Sequence, residues 1–364
     1  MPRPKKGLAA ISLNVTIRDV AAKAGVSVAT VSRVFNRKGP IREDTIRRVL
    51  DVAGEMQYVP HAGARSLSTR STRTIGVVLP DLHGEFFSEV IRGIDLAARQ
   101  NGYHLLLSGS HSDREEMRAV VHAVRGLVDG LIVMSPDLEP SALLADLPTG
   151  VDVVMLNSRV DGRPSITIDN SGGARDVVRH LRSLGHERIA FIAGPAHNAD
   201  AEQRRRGFRT EVRASGIEST ELPGDFTETS GHAAGQKIAA TDPRPTAIFA
   251  ANDSMALGAL SAFRDAGLRV PEDIAIVGFD DIPIARFLTP PLTTVRVEIA
   301  ELGRRAVNHV VHALEDRGDA TKGDSSKKRD VIKTTLVVRE SCGSPRAHGR
   351  GTLNESTKKQ GRSK

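Results

Sequence analysis

Residues 28 to about 35 would form a helix with one apolar side and one small, polar side. At about 100° per residue, Val31 and Val34 share the apolar side. The opposite side consists of Ala29, Ser32, Arg33 and Asn36. An arginine can make two hydrogen bonds to guanine, and small residues such as Val28 and Ala29 let a helix approach thymine methyl groups. The polar side therefore suits the major groove of DNA, and a three-helix bundle with a merely solvated face is the alternative.

Other residues of this segment carry donors that suit phosphate. Ser27 and Thr30 have hydroxyl groups, and such contacts hold a protein in register on a duplex. Thr16 can also cap the preceding helix. We therefore expect DNA contacts from Thr16, Ser27, Val28, Ala29, Thr30, Ser32, Arg33 and Asn36.

Aromatic residues in two loops could form the walls of a ligand site. The segment 80–87, PDLHGEFF, contains Asp81 and ends in Phe86 and Phe87, and a later loop offers Phe226. The chain has no Trp and two Tyr, so these rings are the available surfaces for stacking a sugar or a base. Each ring taken alone is also compatible with a core position.

Polar residues follow two predicted strands. Asn252 and Asp253 come after one strand and open a helix, and Asp280 lies just past another. Ligands of parallel sheets bind at the carboxyl ends of the strands. We expect Asn252 and Asp280 to bind a ligand and Asp253 to cap the helix, although capping is possible for either residue of the pair.

Motifs of the common enzyme classes are missing from the sequence. It contains no GxGxxG, GxxxxGK[ST], GxSxG or HExxH, and His186 is better placed at a helix end than as a base. The single cysteine, Cys342, cannot form a disulfide within the chain, and no CxxC is present. We therefore expect no enzyme activity, no metal and no cofactor, with an enzyme on a Rossmann-like sheet as the competing class.

Charge is distributed unevenly along the 364 residues. Residues 1–70 carry 13 basic and 5 acidic residues and residues 343–364 carry 6 and 1, which leaves 71–342 at −6 of the total of +7. A basic head suggests a polyanionic partner. No apolar stretch reaches a membrane span, and no signal peptide is evident, which argues against an exported solute-binding protein. We expect a cytoplasmic protein without a membrane partner.

The remaining pattern predicts the elements that position these residues. Three short helices between residues 16 and 58 precede a small, polar linker. Buried strands are then predicted at 75–79, 104–107, 131–134, 153–156, 189–193, 247–250 and 274–277. Helices are predicted between them at 87–100, 114–128, 174–184, 202–214 and 254–266. This alternation is typical of an α/β fold with two doubly wound parallel sheets.

The segment TIRDVAAKAGVSVATVSRVFN, residues 16–36, resembles the helix-turn-helix of LacI/GalR family bacterial transcription regulators, and the similarity continues to about residue 340. The resemblance implies a three-helix head plus hinge, followed by a periplasmic-binding-protein-like body of two subdomains. It also implies a homodimer on a pseudo-palindromic double-stranded operator, with Val28, Ala29 and Arg33 at base-reading positions.

The segment MQYVPHAGARSLST is similar to the hinge of that family. Residues 62–67 are too few for an isolated helix, so we expect them to become helical only on DNA. The resemblance places Leu67 where a leucine wedges into the central base step, and Ala64 on the same DNA contact.

The resemblance also implies an effector pocket between the subdomains. Arg204 matches an arginine that forks onto effector hydroxyls or a carboxylate, and Asp280 matches an acid that accepts hydrogen bonds. The effector-binding set is then Asp81, Phe86, Phe87, Asn157, Asn198, Asp200, Arg204, Phe226, Asn252 and Asp280. This set favours a sugar that releases a repressor from its operator. The alternative is a corepressor-dependent regulator that senses a nucleobase or another metabolite.

These expectations divide the chain into five parts. They are a basic, disordered N-terminus (1–15), a helix-turn-helix DNA-binding domain (16–60), a hinge (61–73), an effector-binding and dimerisation domain (74–342) and a disordered basic tail (343–364). Within the body, the first subdomain is expected at 74–168 with 298–326, and the second at 169–297 with 327–342.

Overall fold

The computed structural model describes residues 15–36, 39–58, 71–316 and 329–343. The described residues up to Thr74, together with Gly126–Asp129, form one unit, and the other described residues form a second unit.

Three helices make up the first unit: α1 (Ile17–Ala24), α2 (Val28–Asn36) and α3 (Glu43–Glu55). Gly25 ends α1 with a φ of 65°, a left-handed value that glycine adopts without strain. Val20, Val31 and Val49, one from each helix, are fully buried and pack together. The predicted three-helix head is therefore confirmed.

The second unit alternates strands and helices. Its strands are β1 (Thr74–Leu79), β2 (His104–Gly109), β3 (Gly130–Met134), β4 (Asp152–Leu156), β5 (Ser165–Ile168), β6 (Arg188–Ile192), β7 (Glu218–Leu222), β8 (Ala247–Ala250), β9 (Ala275–Asp280), β10 (Thr293–Arg296), β11 (Arg329–Ile332) and β12 (Thr335–Val337). Its helices are α4 (Glu85–Gln100), α5 (Arg114–Ala123), α6 (Pro140–Asp146), α7 (Asn170–Ser183), α8 (Ala199–Ser215), α9 (Glu228–Ala239), α10 (Asp253–Asp265) and α11 (Ile299–Asp316), and Pro283–Phe287 forms a 3₁₀ helix.

The strands form two sheets, as the sequence predicts, and each sheet has six strands. The first has the order β2-β1-β3-β4-β5-β11 and the second the order β7-β6-β8-β9-β10-β12. Neighbouring strands run parallel, as in β1–β3 and β6–β8, whereas β10 and β12 are antiparallel. We call the part around each sheet a lobe. The loops after β1, β3, β6, β8 and β9 all end at one cavity, so the carboxyl ends of these strands position the site.

The chain crosses between lobes three times. It crosses at Asp169, between β5 and α7, and at Val297, between β10 and α11. The third crossing differs from the expectation that residues 327–342 belong to the second lobe. Strand β11 pairs in parallel with β5 of the first sheet, so the crossing lies at 333–334. The reason is that β11 extends an open edge of the first sheet before the chain turns away.

Helices α6, α9 and α11 and strands β5, β7, β10, β11 and β12 do not appear among the sequence predictions. Helix α9 contains Gly231 and Gly235, which lower helix propensity. Both glycines are needed for close packing, since a Cβ at Gly231 would lie 2.2 Å from the Met255 carbonyl oxygen of α10. Tertiary packing therefore overrides the local preference.

Asp129 fixes the chain that leaves the predicted hinge. Its carboxylate accepts hydrogen bonds from the Ser71 hydroxyl (2.6 Å), the Thr72 amide (2.6 Å) and hydroxyl (2.8 Å), and the Arg73 amide (2.9 Å). Burial opposes ionisation, but these bonds from Ser71 and Thr72 hold the pKa of Asp129 below its usual value. One side chain thus anchors three consecutive residues.

Candidate functional site

Helix α2 begins at a turn whose side chains satisfy its first backbone donors. The Thr30 amide donates to the Ser27 hydroxyl at 3.1 Å, and the two hydroxyls lie 2.9 Å apart. Ser27 is therefore a helix cap, which is compatible with the proposed phosphate contact. Thr16 is exposed before α1, where its amide and hydroxyl donate to Asp19 at 2.8 and 2.7 Å.

The expected reading face of α2 is open. Val28 is 42% exposed, Ala29 and Arg33 are exposed, and Val31 and Val34 on the other side are buried. Thr30, Ser32 and Asn36 are half-buried at the border of this face. The Asn36 amide donates to the Ser32 hydroxyl at 3.2 Å. Val28 is an exposed apolar residue on the same face as Arg33, and an α-helix can enter the major groove. This arrangement is compatible with contacts to the edges of DNA bases. Ala64 and Leu67 lie outside the described residues.

A cavity of about 290 Å³ lies between the two lobes. Seven carboxylates line it, and we call them the acidic lining: Asp81, Glu85, Asp137, Asp200, Asp225, Glu228 and Asp280. Nine of the ten residues in the predicted effector-binding set lie in the lining: Asp81, Phe86, Phe87, Asn198, Asp200, Arg204, Phe226, Asn252 and Asp280. Asn157 is not among the lining residues.

Arg204 is the most constrained residue of the cavity and is only 3% exposed. Its guanidinium donates to Asn170 Oδ1 at 2.8 Å, to Asp280 Oδ1 at 2.9 Å and to the Ala251 carbonyl oxygen. The guanidinium carbon also lies 3.8 Å from the centre of the Phe279 ring. Stacking and three bonded nitrogens fix its orientation.

Two buried carboxyl groups flank this arginine. Burial raises the pKa of Asp200 to about 6, although Arg204 and the Asn170 amide, 2.7 Å away, oppose the shift. Burial likewise raises the pKa of Asp280 to about 6 against the effect of Arg204. Asp280 also has a φ of 111°, a strained value for a residue other than glycine. The site therefore holds two carboxyl groups whose ionised forms are destabilised by burial.

Three aromatic rings contribute to the cavity wall. Phe86 and Phe87 meet edge to face with their centres 5.5 Å apart, and Phe226 lies across the cavity lining from the other lobe. Gly194 makes room for Phe226, because a Cβ at that glycine would lie 2.5 Å from the ring. All three rings line the cavity, and their contact with a ligand stays a prediction.

Asn198 has a role in both lobes. Its Oδ1 caps α8 by accepting from the amides of Asp200 and Ala201 at 3.0 Å each. Its Nδ2 donates across the cleft to Asp137 Oδ1 at 2.8 Å. The Ala199 amide donates to the Pro136 carbonyl oxygen at 2.9 Å beside it.

The cap of α10 differs from the expected one. Asn252, not Asp253, is the cap, with its Oδ1 accepting from the Met255 amide at 2.9 Å, while its Nδ2 donates to the Phe226 carbonyl oxygen. The Asp253 side chain instead accepts from the Ile282 amide and the Thr294 hydroxyl. Burial raises its pKa well above the usual value. The turn into the helix begins one residue earlier than the prediction assumed.

Asn157 and Asp81 complete the predicted set. Asn157 follows β4 with a φ of 51° and is 2% exposed. Its side-chain polar atoms make no hydrogen bond of ordinary geometry with any described residue, although its proximity to Asp200 helps to lower the pKa of that carboxyl. Asp81 Oδ1 accepts from the amides of Leu82 and His83 and shapes the first loop.

The predicted effector-binding set lacks three residues that contribute contacts in or beside the cavity. Asp137 and Asn170 are bonded to Asn198 and Arg204, and Glu85 Oε2 accepts from the Ile284 amide of the other lobe at 3.0 Å. Asp137 comes shortly after a buried strand, and this signal could have identified it. Asn170 depends on how α7 packs beside α8 within one lobe, and the bond of Glu85 depends on how the two lobes meet.

None of the described helices has the length and hydropathy needed to cross a bilayer. Within the same residues, no group of three or more His, Cys, Asp and Glu is arranged to hold a metal ion.

Comparisons with known proteins agree with this architecture. Residues 16–61 match the model for bacterial regulatory proteins of the lacI family, and residues 178–342 match a periplasmic binding protein-like domain. The ribose operon repressor of Escherichia coli strain K12 is 36% identical over 82% of this chain and 93% of its own. The HTH-type transcriptional repressor PurR of Aliivibrio fischeri is 38% identical over 90% and 98%. A lac repressor dimer, solved with operator and the anti-inducer ONPF, has a TM-score of 0.80 and 32% identity, covering 90% of this chain and 99% of that one.

Proposed function

This chain belongs to the lacI family of bacterial regulatory proteins, and on that premise we propose that it represses transcription until a sugar releases it from its operator. Members of the family bind operator DNA and small-molecule effectors and form dimers. The described part of this chain carries both devices, a DNA-binding head and an effector-binding body.

The observation that carries the proposal is the lining of the cleft cavity. It combines Arg204 and Asp280 with the rings of Phe86, Phe87 and Phe226. Carboxylates accept hydrogen bonds from neighbouring hydroxyls, and aromatic faces cover the apolar C–H surface of a sugar ring. The ribose operon repressor among the relatives makes ribose the first sugar to test.

Release would follow from the arrangement of two lobes around one ligand. A sugar that binds one arrangement of the lobes more tightly shifts the population toward it. If that arrangement separates the paired hinges, the two heads no longer fit half-sites about one helical turn apart. Operator must then weaken sugar binding by the same factor.

The PurR relatives support a second candidate, in which a nucleobase acts as corepressor. The three phenylalanine rings could stack on a base as well as on a sugar. The two candidates predict opposite effects of the ligand on operator affinity, because a releasing sugar lowers this affinity and a corepressor raises it.

One experiment separates them. An operator would be selected from a random pseudo-palindromic DNA library, and its affinity measured by fluorescence anisotropy with ribose, galactose, hypoxanthine or guanine. We expect one sugar to weaken operator binding about tenfold or more, a typical coupling for allosteric regulators. Tighter binding with a nucleobase would replace the proposal by the corepressor scheme, and no response to any compound would contradict both.

A pair of variants locates the effect in the cavity. Phe226→Leu keeps apolar volume but removes the ring, so the sugar concentration needed for half-release should rise several-fold. Leu82→Ala is the matched control, because Leu82 is 44% exposed in the first loop but is not part of the cavity lining.

We also propose that the chain catalyses no reaction and acts in the cytoplasm. Its relatives are transcriptional repressors, and a regulator of this kind must reach the chromosome. Hydrolysis or conversion of the releasing sugar by the purified protein would contradict the first statement.

A further inference from the structure

The charge of the cavity is more one-sided than sugar binding alone requires. Seven carboxylates form the acidic lining, and Arg204 is the one Arg or Lys among the lining residues that the structure describes. Taking His83 as neutral, the formal charge of the lining is 1 − 7 = −6. The body as a whole, residues 71–342, also sums to −6.

The charge of Arg204 is already balanced by a carboxylate, although two of its five N–H groups remain for a ligand. Asp280 forms an ion pair with it at 2.9 Å, and the side chains are 3% and 6% exposed. The other two nitrogens already donate to Asn170 and the Ala251 carbonyl oxygen. An anionic ligand would have to displace a buried carboxylate from this arginine, which costs the desolvation of both partners.

The neutral donors of the lining are similarly engaged. Ser112 and Asn198 donate to Asp137, Thr227 donates to Asp225, and Ser254 donates to Glu228. These donors point their hydrogens at carboxylates of the lining itself, so little donor capacity remains for the oxygens of a phosphate or a carboxylate.

Acceptors, in contrast, remain. Glu85, Glu228 and Asp280 each use one carboxylate oxygen in a described bond, to the Ile284 amide, the Ser254 hydroxyl and Arg204. A carboxylate has two oxygens and several lone pairs, so the second oxygen of each can accept from a ligand. Ligand hydroxyl and amine groups supply the matching donors.

From this imbalance we infer that the effector is rich in hydrogen-bond donors and carries no negative charge, so that a neutral or amine-bearing sugar binds and its phosphorylated or carboxylated form does not. This inference rests on the proposed function and narrows its ligand. It excludes the product of a kinase step as the effector, because a sugar that has been phosphorylated would no longer release the repressor.

The test uses matched ligands on the full chain. Isothermal titration at pH 7.5 would compare ribose with ribose 5-phosphate, and galactose with galactosamine, galactose 6-phosphate and galacturonate. Within each series of sugars whose neutral parent binds, we expect the anionic members to bind at least about tenfold more weakly, which corresponds to about 1.4 kcal/mol, because the added charge lies near several carboxylates. The difference should shrink at high salt.

The outcomes separate this inference from the proposed function. An anionic member that binds within tenfold of its neutral parent, or more tightly, overturns the inference but leaves a sugar-released repressor in place. A panel in which no sugar binds and none releases the operator overturns both.

Paired variants test whether the carboxylates cause the exclusion. Glu85→Gln with Glu228→Gln removes two charges from the lining and keeps an oxygen for each described bond. For each series of related sugars, the ratio of the affinity for the neutral sugar to the affinity for its anionic form should fall at least about threefold, as expected for the loss of two nearby repulsive charges. Glu187→Gln with Glu272→Gln, both exposed and outside the lining, should leave the ratio unchanged. Equal ratios in both double variants would overturn the assignment.

Discussion

The Asn198 side-chain nitrogen lies 2.8 Å from Asp137 Oδ1 and thereby joins the first turn of α8 to the loop after β3 of the other lobe. The Ile284 amide makes a second bond across the cleft, to Glu85 at 3.0 Å. The lobes are thus bonded to each other through protein atoms. An effector that enters the cleft must therefore rearrange or reinforce contacts that already exist.

Asn198→Ala tests how much the first of these contacts contributes to closure. The variant loses a helix cap, which costs about 1 kcal/mol of the free energy of unfolding, and also the bond to Asp137. Thr227→Ala is the matched control, because Thr227 caps α9 through the Ser230 amide without crossing the cleft. Both variants should lose similar stability in urea. Only Asn198→Ala should increase the radius of gyration of the body in X-ray scattering, and equal scattering curves would contradict this role.

Asp200→Asn tests the buried carboxyl groups through the pH dependence of stability. The pKa of Asp200 is about 6 in the folded protein, above the ordinary value of 3.8. Between these values the folded state binds more protons than the unfolded state, so this group lowers the free energy of unfolding as pH rises from about 4 to 6. Removing it should make that slope less negative, by at most about 1.4 kcal/mol per pH unit.

Asp273→Asn is the control for this measurement. The bond from Arg269 lowers the pKa of Asp273 to about 2. Its contribution is therefore complete above the ordinary value and is lost only as pH falls toward 2. Urea unfolding at several pH values should show no change of slope between pH 4 and 6 for this variant. A slope for Asp200→Asn equal to that of the unmodified chain would show that Asp200 is ionised throughout.

Arg33→Ala tests the reading face of α2. We expect a loss of about 1–3 kcal/mol for the preferred operator and relaxed preference at one position of each half-site. Arg48→Ala removes an exposed charge from α3 and should weaken all sequences about equally. Selection of binding sites from random DNA with each variant would reveal the difference. Unchanged preference in Arg33→Ala would assign this arginine to phosphate.

Leu67→Ala tests the wedge that the family resemblance implies for the hinge. Loss of an apolar wedge should remove the kink at the central base step and lower affinity for the operator, whereas nonspecific binding, which depends on charge, should persist. Competition between operator and random DNA measures the ratio. Retention of the full specificity ratio would contradict the wedge.

Asp129→Ala tests the anchor of the chain that follows the hinge. Four hydrogen bonds from residues 71–73 would be lost. Because these residues are half-buried or exposed, water can replace part of each bond, and the loss is about 1 kcal/mol per bond. Operator affinity should fall while sugar affinity stays within about twofold. Asp129→Asn keeps two acceptor positions at most and should be intermediate. Equal operator affinity in all three proteins would limit Asp129 to a structural role.

The α/β class and the buried strands of both sheets were predictable because apolar runs such as those of β3 and β8 are fully buried. Strand β7, ESTEL, was not, because it is a polar strand at a sheet edge with exposed residues. Its pairing with β6 depends on backbone bonds that side-chain patterns do not reveal.

The site followed a similar division. Residues at strand ends, such as Asp280 and Asn252, were predictable, and the family resemblance added Arg204 and Asp200. Partners that come from the facing lobe were not, because the contact between Glu85 and Ile284 spans 199 positions of the chain. The sequence did not show that Asn252, and not Asp253, is the cap, because the two candidates are adjacent and the start of the helix could not be placed to within one residue.

The third crossing gives the body a particular mechanical character. Only Lys333 and Thr334 separate β11 of one sheet from β12 of the other. Both residues contact the first crossing, with Lys333 3.2 Å from the Asp169 carboxylate and the Thr334 hydroxyl 3.4 Å from its carbonyl oxygen. These two contacts bring the first and third crossings together at one place, so a rotation of one lobe against the other would be centred there. A ligand bound in the cleft would then change the angle between the two lobes rather than the distance between them.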